Sequence, residues 1–159
     1  MGDEVRILVT ASRFYPNVAR VEEAAADVER VFPGGRLRLA HGRCNPRHPV
    51  TREVVLWQVA EACPPARRLE LLGGDWLMTQ VAAQRGWETE GHAPDYHQDH
   101  AELARNRLMV NLGAELAVVL TEPCRDKDCK YRFQHITHGT AHCSGLAEAA
   151  GIKCWRYPA

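Results

Sequence analysis

The chain has 159 residues, 45% of them hydrophobic and 25% charged, as expected of a globular protein with one domain. Its 20 basic residues balance 20 acidic ones, and this zero net charge argues against a nucleic-acid-binding protein that works by bulk positive charge. The sequence lacks the roughly 18-residue apolar run of a membrane span, and its acidic N-terminus does not resemble a signal peptide. We therefore expect a cytoplasmic protein with no membrane partner.

The first part of the chain predicts two strands and two helices. Arg6–Thr10 is a short run rich in branched residues, which is typical of a buried strand, and Leu37–Ala40 repeats the pattern. Between them, Val18–Phe32 carries apolar residues at helical spacing. After a proline-containing loop, Thr51–Ala62 is predicted to be a helix that Thr51 caps.

The remainder of the chain continues this alternation. The predicted elements are, in order, helix Trp76–Arg85, strand Trp87–Gly91, helix Glu102–Leu112, strand Leu116–Leu120, helix Thr140–Ala150 and strand Ile152–Tyr157. The alternation predicts a single three-layer α/β domain over residues 1–159, with helices on both faces of a mainly parallel sheet. Two insertions, at about 44–72 and 124–138, interrupt it.

Several short motifs occur in order along nearly the whole chain. They are VTASRFYPN (9–17), AHG (40–42), GGDWLMTQVAAQRGW (73–87), ARNRLMV (104–110), GAELAVVL (113–120) and HGTAHCSGLAEAAGI (138–152). In order and spacing they resemble the SLOG superfamily of Rossmann-like nucleotide-binding proteins. The resemblance is to a branch of bacterial and phage proteins of unknown function with GSR, GAD, RNxxM and GT motifs.

This resemblance implies that the chain binds a nucleotide or a nucleotide-derived small molecule. It would act as a sensor or a sequestering protein, for example in phage–host conflict, and it would self-associate into a homo-oligomer. The chain departs from the motifs where Ala11 replaces the first glycine and Gly74 replaces the alanine of GAD.

Most of the candidate ligand-binding residues lie at predicted strand ends and helix starts, where α/β sheets bind ligands, and Arg105 and Asn106 lie within the predicted helix Glu102–Leu112. Backbone N–H groups at a strand-to-helix turn and arginine side chains both bind phosphate, and the carboxylate of Asp75 could accept a hydrogen bond from a ribose hydroxyl. A plainer interpretation is that Thr140 and Asp75 cap their helices and the arginines are solvated. The candidates are Thr10, Ser12, Arg13, Gly73, Asp75, Arg105, Asn106, Gly139 and Thr140.

Three other functions stay open. The superfamily includes phosphoribohydrolases that this chain resembles at Arg105, which implies a nucleotide hydrolase of the N-glycosidase type. However, the glutamate of their GGxGTxxE loop falls on Cys143, and this loss of a carboxylate argues against hydrolysis. Another branch binds single-stranded DNA, which the zero net charge disfavours. The third alternative is a zinc-stabilised interaction module with an empty pocket.

The second insertion carries cysteines and histidines, which are the ligands that zinc prefers. A long polar loop of this kind is uncommon unless something orders it, although a solvated loop with incidental cysteines is the alternative. His142 and Cys143 are further candidates for the fourth ligand. The preferred set for a structural zinc ion is Cys124, Cys129, His135 and His138.

Overall fold

Five strands and six helices alternate along residues 2–159 of the computed structural model, the residues that the structure describes. The strands are β1 (Glu4–Ala11), β2 (Arg36–His41), β3 (Glu88–Gly91), β4 (Leu116–Thr121) and β5 (Cys154–Pro158). The helices are α1 (Val18–Val31), α2 (Trp57–Glu61), α3 (Pro65–Arg68), α4 (Gly74–Gln84), α5 (Ala101–Asn111) and α6 (His138–Ala149). The strands form one parallel sheet in the order β3-β2-β1-β4-β5, which confirms the predicted α/β class.

Helices cover the sheet on two faces, and the alternation of side chains along β1 shows how. Ile7 and Val9 belong to one apolar cluster, which includes buried residues of α1 and α4. Leu8 belongs to a second cluster, with Met109 of α5 and Ala147 of α6. Since β1 is buried on both sides, its sequence is a continuous apolar run. Within residues 2–159, no helix is both long and apolar enough to cross a membrane.

The strand order places a switch point between β1 and β4. The chain proceeds from β1 outward to β2 and β3, and then returns to pair β4 with the other side of β1. Ala11 at the end of β1 is in register with Leu120 near the end of β4. Because the connections diverge here, the two strand ends leave a crevice between them, the usual ligand position in open α/β sheets.

The predicted helix over Thr51–Ala62 is wrong in its first half, because α2 begins only at Trp57. Bridges from Arg47 to Val54 and Leu72 hold the preceding segment extended. Arg52 has a φ of 63°, which a right-handed helix excludes. The Thr51 hydroxyl accepts the N–H of Glu53 and caps no helix. Tertiary pairing has overridden the local apolar spacing.

Candidate ligand pocket and metal centre

A cavity of about 970 Å³ opens at the carboxyl ends of β1 and β4, beside the first turn of α6. Its volume falls within the range of about 300–1,000 Å³ that is typical of small-molecule sites. Gly73 does not line it: this residue has a φ of 130° at the start of α4, and its N–H donates to Tyr15 O. The other predicted ligand-binding residues all line the cavity: Thr10, Ser12, Arg13, Asp75, Arg105, Asn106, Gly139 and Thr140.

A chain of hydroxyl groups connects the end of β4 to the first turn of α6. The backbone N–H of Glu122 donates to Ser12 Oγ at 3.1 Å, and Ser12 Oγ lies 2.8 Å from Thr137 Oγ1. Thr137 Oγ1 in turn donates to Thr140 Oγ1 at 3.0 Å, so the hydrogen between Ser12 and Thr137 must come from Ser12. The direction of the chain is therefore fixed, and it ends on Thr140, which is 2% exposed.

Arg105 forms part of the cavity floor and is 8% exposed. Its Nη1 donates to the carbonyl oxygen of Gly42, and its Nε donates to Asn106 Oδ1 at 2.9 Å. A Cβ at position 42 would overlap this guanidinium, so a larger residue there would displace Arg105 from its present position. No carboxylate lies within 4 Å of Arg105 in residues 2–159. The cavity thus has a buried cation without an ion-pair partner.

Asp75 lines the cavity but does not cap α4. Its Oδ2 accepts the N–H of Gly42 at 3.1 Å and that of Cys44 at 3.5 Å, and the residue is 5% exposed. Both donors belong to the loop after β2, so this carboxylate fixes the loop against the start of α4. Burial, with Asp75 nearby, raises the pKa of Cys44 to about 12, and this thiol stays neutral.

Sequence reasoning missed several residues of the cavity. Glu122 directly follows β4, and since ligands bind at the carboxyl ends of strands, the sequence could have indicated it. Burial raises the pKa of its carboxyl group. Glu102 pairs with Arg13, with Oε1 2.7 Å from Nη2. Phe14 and Arg52 also line the cavity, and Arg52 comes from the first insertion, where no motif marks it.

Cys143 lies on α6 and is 1% exposed, within the apolar cluster beneath the sheet. Burial raises the pKa of its thiol to about 11, so near neutral pH it is neither a base nor a thiolate nucleophile. His142 does line the cavity, with Nδ1 3.3 Å from Asn106 Nδ2. Burial and the neighbouring Arg107 lower its pKa and favour the neutral imidazole.

The second insertion brings four ligand atoms together, all within 4.8 Å of one another. Cys129 Sγ lies 3.5 Å from His135 Nε2 and 3.4 Å from His138 Nε2, and Cys124 Sγ lies 3.8 Å from His138 Nε2. Ordinary zinc bond lengths in a tetrahedron place sulfur and nitrogen ligands about 3.6 Å apart. The cluster of two cysteines and two histidines could therefore hold a metal ion such as zinc.

Surrounding contacts orient these ligands. His135 Nδ1 lies 2.7 Å from the carbonyl oxygen of Phe133, which fixes the proton on Nδ1 and leaves Nε2 free for a metal ion. The backbone N–H of Cys124 donates to His135 O at 2.7 Å, so the loop closes on itself beneath the ligands. Of the three candidates for the fourth ligand, only His138 is in the cluster, because His142 lies in the ligand cavity and Cys143 in the core.

The metal cluster and the ligand cavity share a wall. Cys124 and His138 belong to the cluster and also line the cavity. His138 is the first residue of α6, and Gly139 and Thr140 follow it into the cavity. Whatever fixes the position of His138 therefore also fixes the start of the helix that faces the cavity.

Comparison with known proteins finds no matching family model, no matching curated protein and no matching solved structure.

Proposed function

We propose that the protein binds a small molecule of the nucleotide class, with a phosphate group against the first turn of α6. The observation that carries this proposal is the buried hydroxyl chain that ends on Thr140 in a ligand-sized cavity. No acceptor for the hydroxyl hydrogen of Thr140 lies among residues 2–159, and the first N–H groups of a helix lack partners within it. A phosphate oxygen satisfies both kinds of donor.

Four arginines and four carboxylates line the cavity, so it is the placement of the charges and not their sum that favours an anion. Arg13 and Glu102 neutralise each other, and Asp75 is bound to backbone N–H groups. Burial raises the pKa of Glu122 while the nearby Arg125 and Arg52 lower it, and Asp126 accepts the N–H of Asp128 within its own loop. The lining cations without an ion pair in the described part of the chain are Arg52, Arg105 and Arg125.

The nucleotide class rests on the resemblance to the SLOG superfamily, and one structural detail supports that resemblance. The two departures from its motifs, Ala11 and Gly74, face each other where α4 meets β1. A Cβ on Gly74 would overlap the Cβ of Ala11, so the contact has room for one methyl group. Glycine and alanine have exchanged places across this contact, and the close approach that the GSR and GAD motifs would form is preserved.

We favour a binding role, as a sensor or a sequestering protein, over hydrolysis. The position that would carry the glutamate of a phosphoribohydrolase is Cys143, a buried neutral thiol outside the cavity. A bound nucleotide therefore meets no general base at the place where that chemistry requires one.

Native mass spectrometry of the purified chain, before and after denaturation, tests the proposal together with calorimetric titration of AMP. We expect a nucleotide to be released on denaturation, or AMP to bind to the emptied protein. Thr140→Val removes the terminal hydroxyl and should weaken AMP binding about 10-fold or more, the usual effect of losing a hydrogen bond to a charged group.

Ser144→Ala is the matched control, because Ser144 is a buried hydroxyl one turn further along α6 that does not line the cavity. Equal AMP affinity in the two variants would overturn the proposed phosphate position. A folded protein that neither carries a nucleotide nor binds AMP, GMP, CMP or UMP would overturn the function.

The cysteine–histidine cluster supports a second property: we propose that it binds one structural zinc ion. Four protein ligands fill a tetrahedral shell and leave no open position for catalysis. The ion would join the two ends of the second insertion and fix His138 at the start of α6. Mass spectrometry should find one zinc per chain, and Cys129→Ser should abolish it while Cys63→Ser, a cysteine of the first insertion, should not. A zinc-free, folded wild-type protein that rejects added zinc would refute this site.

A further inference from the structure

Two arginines pack on the ring of Phe14 at the mouth of the cavity, and a third precedes it in sequence. The guanidinium carbon of Arg52 lies 4.1 Å from the centre of the Phe14 ring, and that of Arg47 lies 5.3 Å from it. Arg13 directly precedes Phe14 in the loop after β1. Arg47 and Arg52 both belong to the first insertion, so the arginine cluster (Arg13, Arg47 and Arg52) is built by two separate parts of the chain.

The positive charge of this cluster is only partly compensated, by the ion pair of Arg13 with Glu102 and by Glu122, whose carboxyl group interacts with Arg52 over a longer distance. Neither Arg47 nor Arg52 has a carboxylate within 4 Å in the described residues, and the one partner of Arg13, Glu102, is half-exposed at the rim. Arg47 Nε is buried without a hydrogen-bond partner. Burial and the neighbouring Arg13 lower the pKa of Arg47. A buried donor and adjacent like charges both cost stability, and a bound anion would relieve the repulsion between the like charges.

The backbone holds two of these arginines in place. Arg47 exchanges both backbone hydrogen bonds with Leu72, at 2.8 and 2.9 Å. The N–H of Arg52 donates to His48 O at 2.9 Å, and Arg52 has a left-handed φ of 63°. Such a conformation is uncommon for a residue with a Cβ and is retained where the surroundings enforce it. The segment therefore presents Arg52 to Phe14 at a conformational cost.

The arginine cluster lies where two cavities meet. Arg13, Phe14 and Arg52 line the large cavity, whereas Arg13 and Arg47 line a neighbouring groove of about 380 Å³. The first turn of α6, which holds the proposed phosphate, does not border the groove. Arg47 lines only the groove, so an anion that contacts Arg47 is a second anionic group, beyond the one at Thr140.

We propose that Arg47 and Arg52, together with Arg13, form a subsite for the outer phosphates of a condensed phosphate chain. The ligand class would then be a nucleoside diphosphate or triphosphate rather than a monophosphate. Guanidinium groups suit this role, since each donates to phosphate oxygens in a planar fork. This inference rests on the proposed function for the position of the nucleoside, but the arginine cluster itself is recognised by phosphate alone.

Calorimetry with orthophosphate, pyrophosphate and tripolyphosphate, followed by AMP and ATP without magnesium, tests the subsite. Tripolyphosphate should bind about 10-fold or more tightly than orthophosphate, and ATP more tightly than AMP by a similar factor. Arg47→Gln should remove most of that advantage and leave AMP affinity unchanged, because Arg47 does not line the large cavity. Arg52→Gln should weaken ATP binding more than AMP binding, because Arg52 lines the large cavity as well. Arg47→Lys, which keeps the charge, should restore part of the advantage.

Arg67→Gln is the matched control, because it removes an exposed arginine of the same insertion that lines neither cavity. Equal affinities for the three inorganic phosphates, or equal losses in Arg47→Gln and Arg67→Gln, would overturn the subsite. If AMP binds and is sensitive to Thr140→Val but ATP binds no better, the subsite alone fails. If tripolyphosphate binding depends on Arg47 but no nucleotide binds, the proposed function alone fails.

Discussion

The two insertions are ordered by different physical means. The first, residues 44–72, buries Trp57, which stacks on His41 with ring centres 5.2 Å apart and meets the edge of Trp76 at 4.9 Å. In the second insertion no residue from 122 to 139 is buried. Its largest apolar side chains, Tyr131 and Phe133, are 47% and 66% exposed.

This difference shows what each insertion requires. Burial of apolar surface stabilises the first by the same effect that stabilises the sheet, and the aromatic stack joins it to α4. The second has its backbone closure, contacts among exposed aromatic side chains and four converging ligand side chains, so a metal ion at the proposed zinc site would supply most of its free energy of ordering. Mutations of buried apolar residues should therefore destabilise the first insertion, and removal of the metal ion should destabilise the second.

Removal of zinc should have the largest effect, and only on the second insertion. Structural zinc sites contribute apparent binding free energies of about 10–16 kcal/mol near neutral pH. Under a zinc chelator we expect the amides of 122–138, including the Cys124 N–H bound to His135 O, to exchange hydrogen rapidly. Hydrogen exchange read by mass spectrometry checks this, with the amides of 44–72 as the internal control.

The same chelation should weaken AMP binding, because His138 begins the helix that carries Thr140. Unchanged exchange in both insertions would mean that zinc orders nothing. Faster hydrogen exchange throughout the chain would mean that the two insertions are not ordered independently of each other.

Truncation of Trp57, the buried aromatic residue of the first insertion, should have the next largest effect on stability. Trp57→Ala empties a site that is 5% exposed, and such changes cost about 3–5 kcal/mol in the free energy of unfolding. Phe133→Ala, at 66% exposure, should cost under about 0.5 kcal/mol. Urea denaturation monitored by circular dichroism measures both. Zinc content should stay at one per chain in Trp57→Ala, and a loss of zinc there would show that the insertions are coupled.

The sequence was sufficient for the parts of the molecule that local patterns govern. Leu116–Leu120 predicts β4 because a strand that is buried on both faces has a continuous run of apolar residues. Val18–Phe32 predicts α1 because a helix that is buried on one face has apolar residues at helical spacing. The metal ligands were predictable for a similar reason: cysteine and histidine in a polar loop have few other uses.

What sequence could not provide depends on contacts between distant segments. The segment before Trp57 has helical apolar spacing, yet its bridges from Arg47 to Val54 and Leu72 hold it extended. The placement of Arg47 and Arg52 around Phe14 follows from those bridges and has no local signature. The use of Asp75 to bind the loop after β2 likewise requires knowing that two strand ends are neighbours.

A smaller effect is expected where the first insertion rejoins the sheet. Gly74→Ala would place a methyl group against the Cβ of Ala11 and within 3.2 Å of Leu120 Cδ1, and such overpacking costs about 1–3 kcal/mol. Ala11→Gly in the same chain should recover most of this loss, and thermal unfolding of the single and double variants measures it. Additive losses in the double variant would contradict the exchange of glycine and alanine across this contact.

As the pH falls, acid should act first on the second insertion and only later on the sheet and its covering helices, which we call the body of the protein. The effect on the body should be the smallest. Thiolates and imidazoles bind metal only when deprotonated, so the second insertion should release zinc first. In the body, burial opposes the charge of Glu90, but hydrogen bonds from Arg6 and His92 outweigh it and lower the pKa to about 2. A carboxylate with a lowered pKa stabilises the fold above its usual pKa of 4.5, and this contribution is lost as the pH falls towards 2.

Urea titrations at stepped pH, with released zinc measured by a colorimetric chelator, distinguish the two events. Glu90→Gln should flatten the fall in stability between pH 4.5 and 2 and leave the pH of zinc release unchanged. The side chain of Glu90 is 26% exposed and partly screened, so the change in slope should be modest. If zinc is retained until the body of the protein unfolds, the second insertion and the sheet lose their structure together as the pH falls. The independence of the two insertions would then be contradicted by the acid titration as well as by zinc removal.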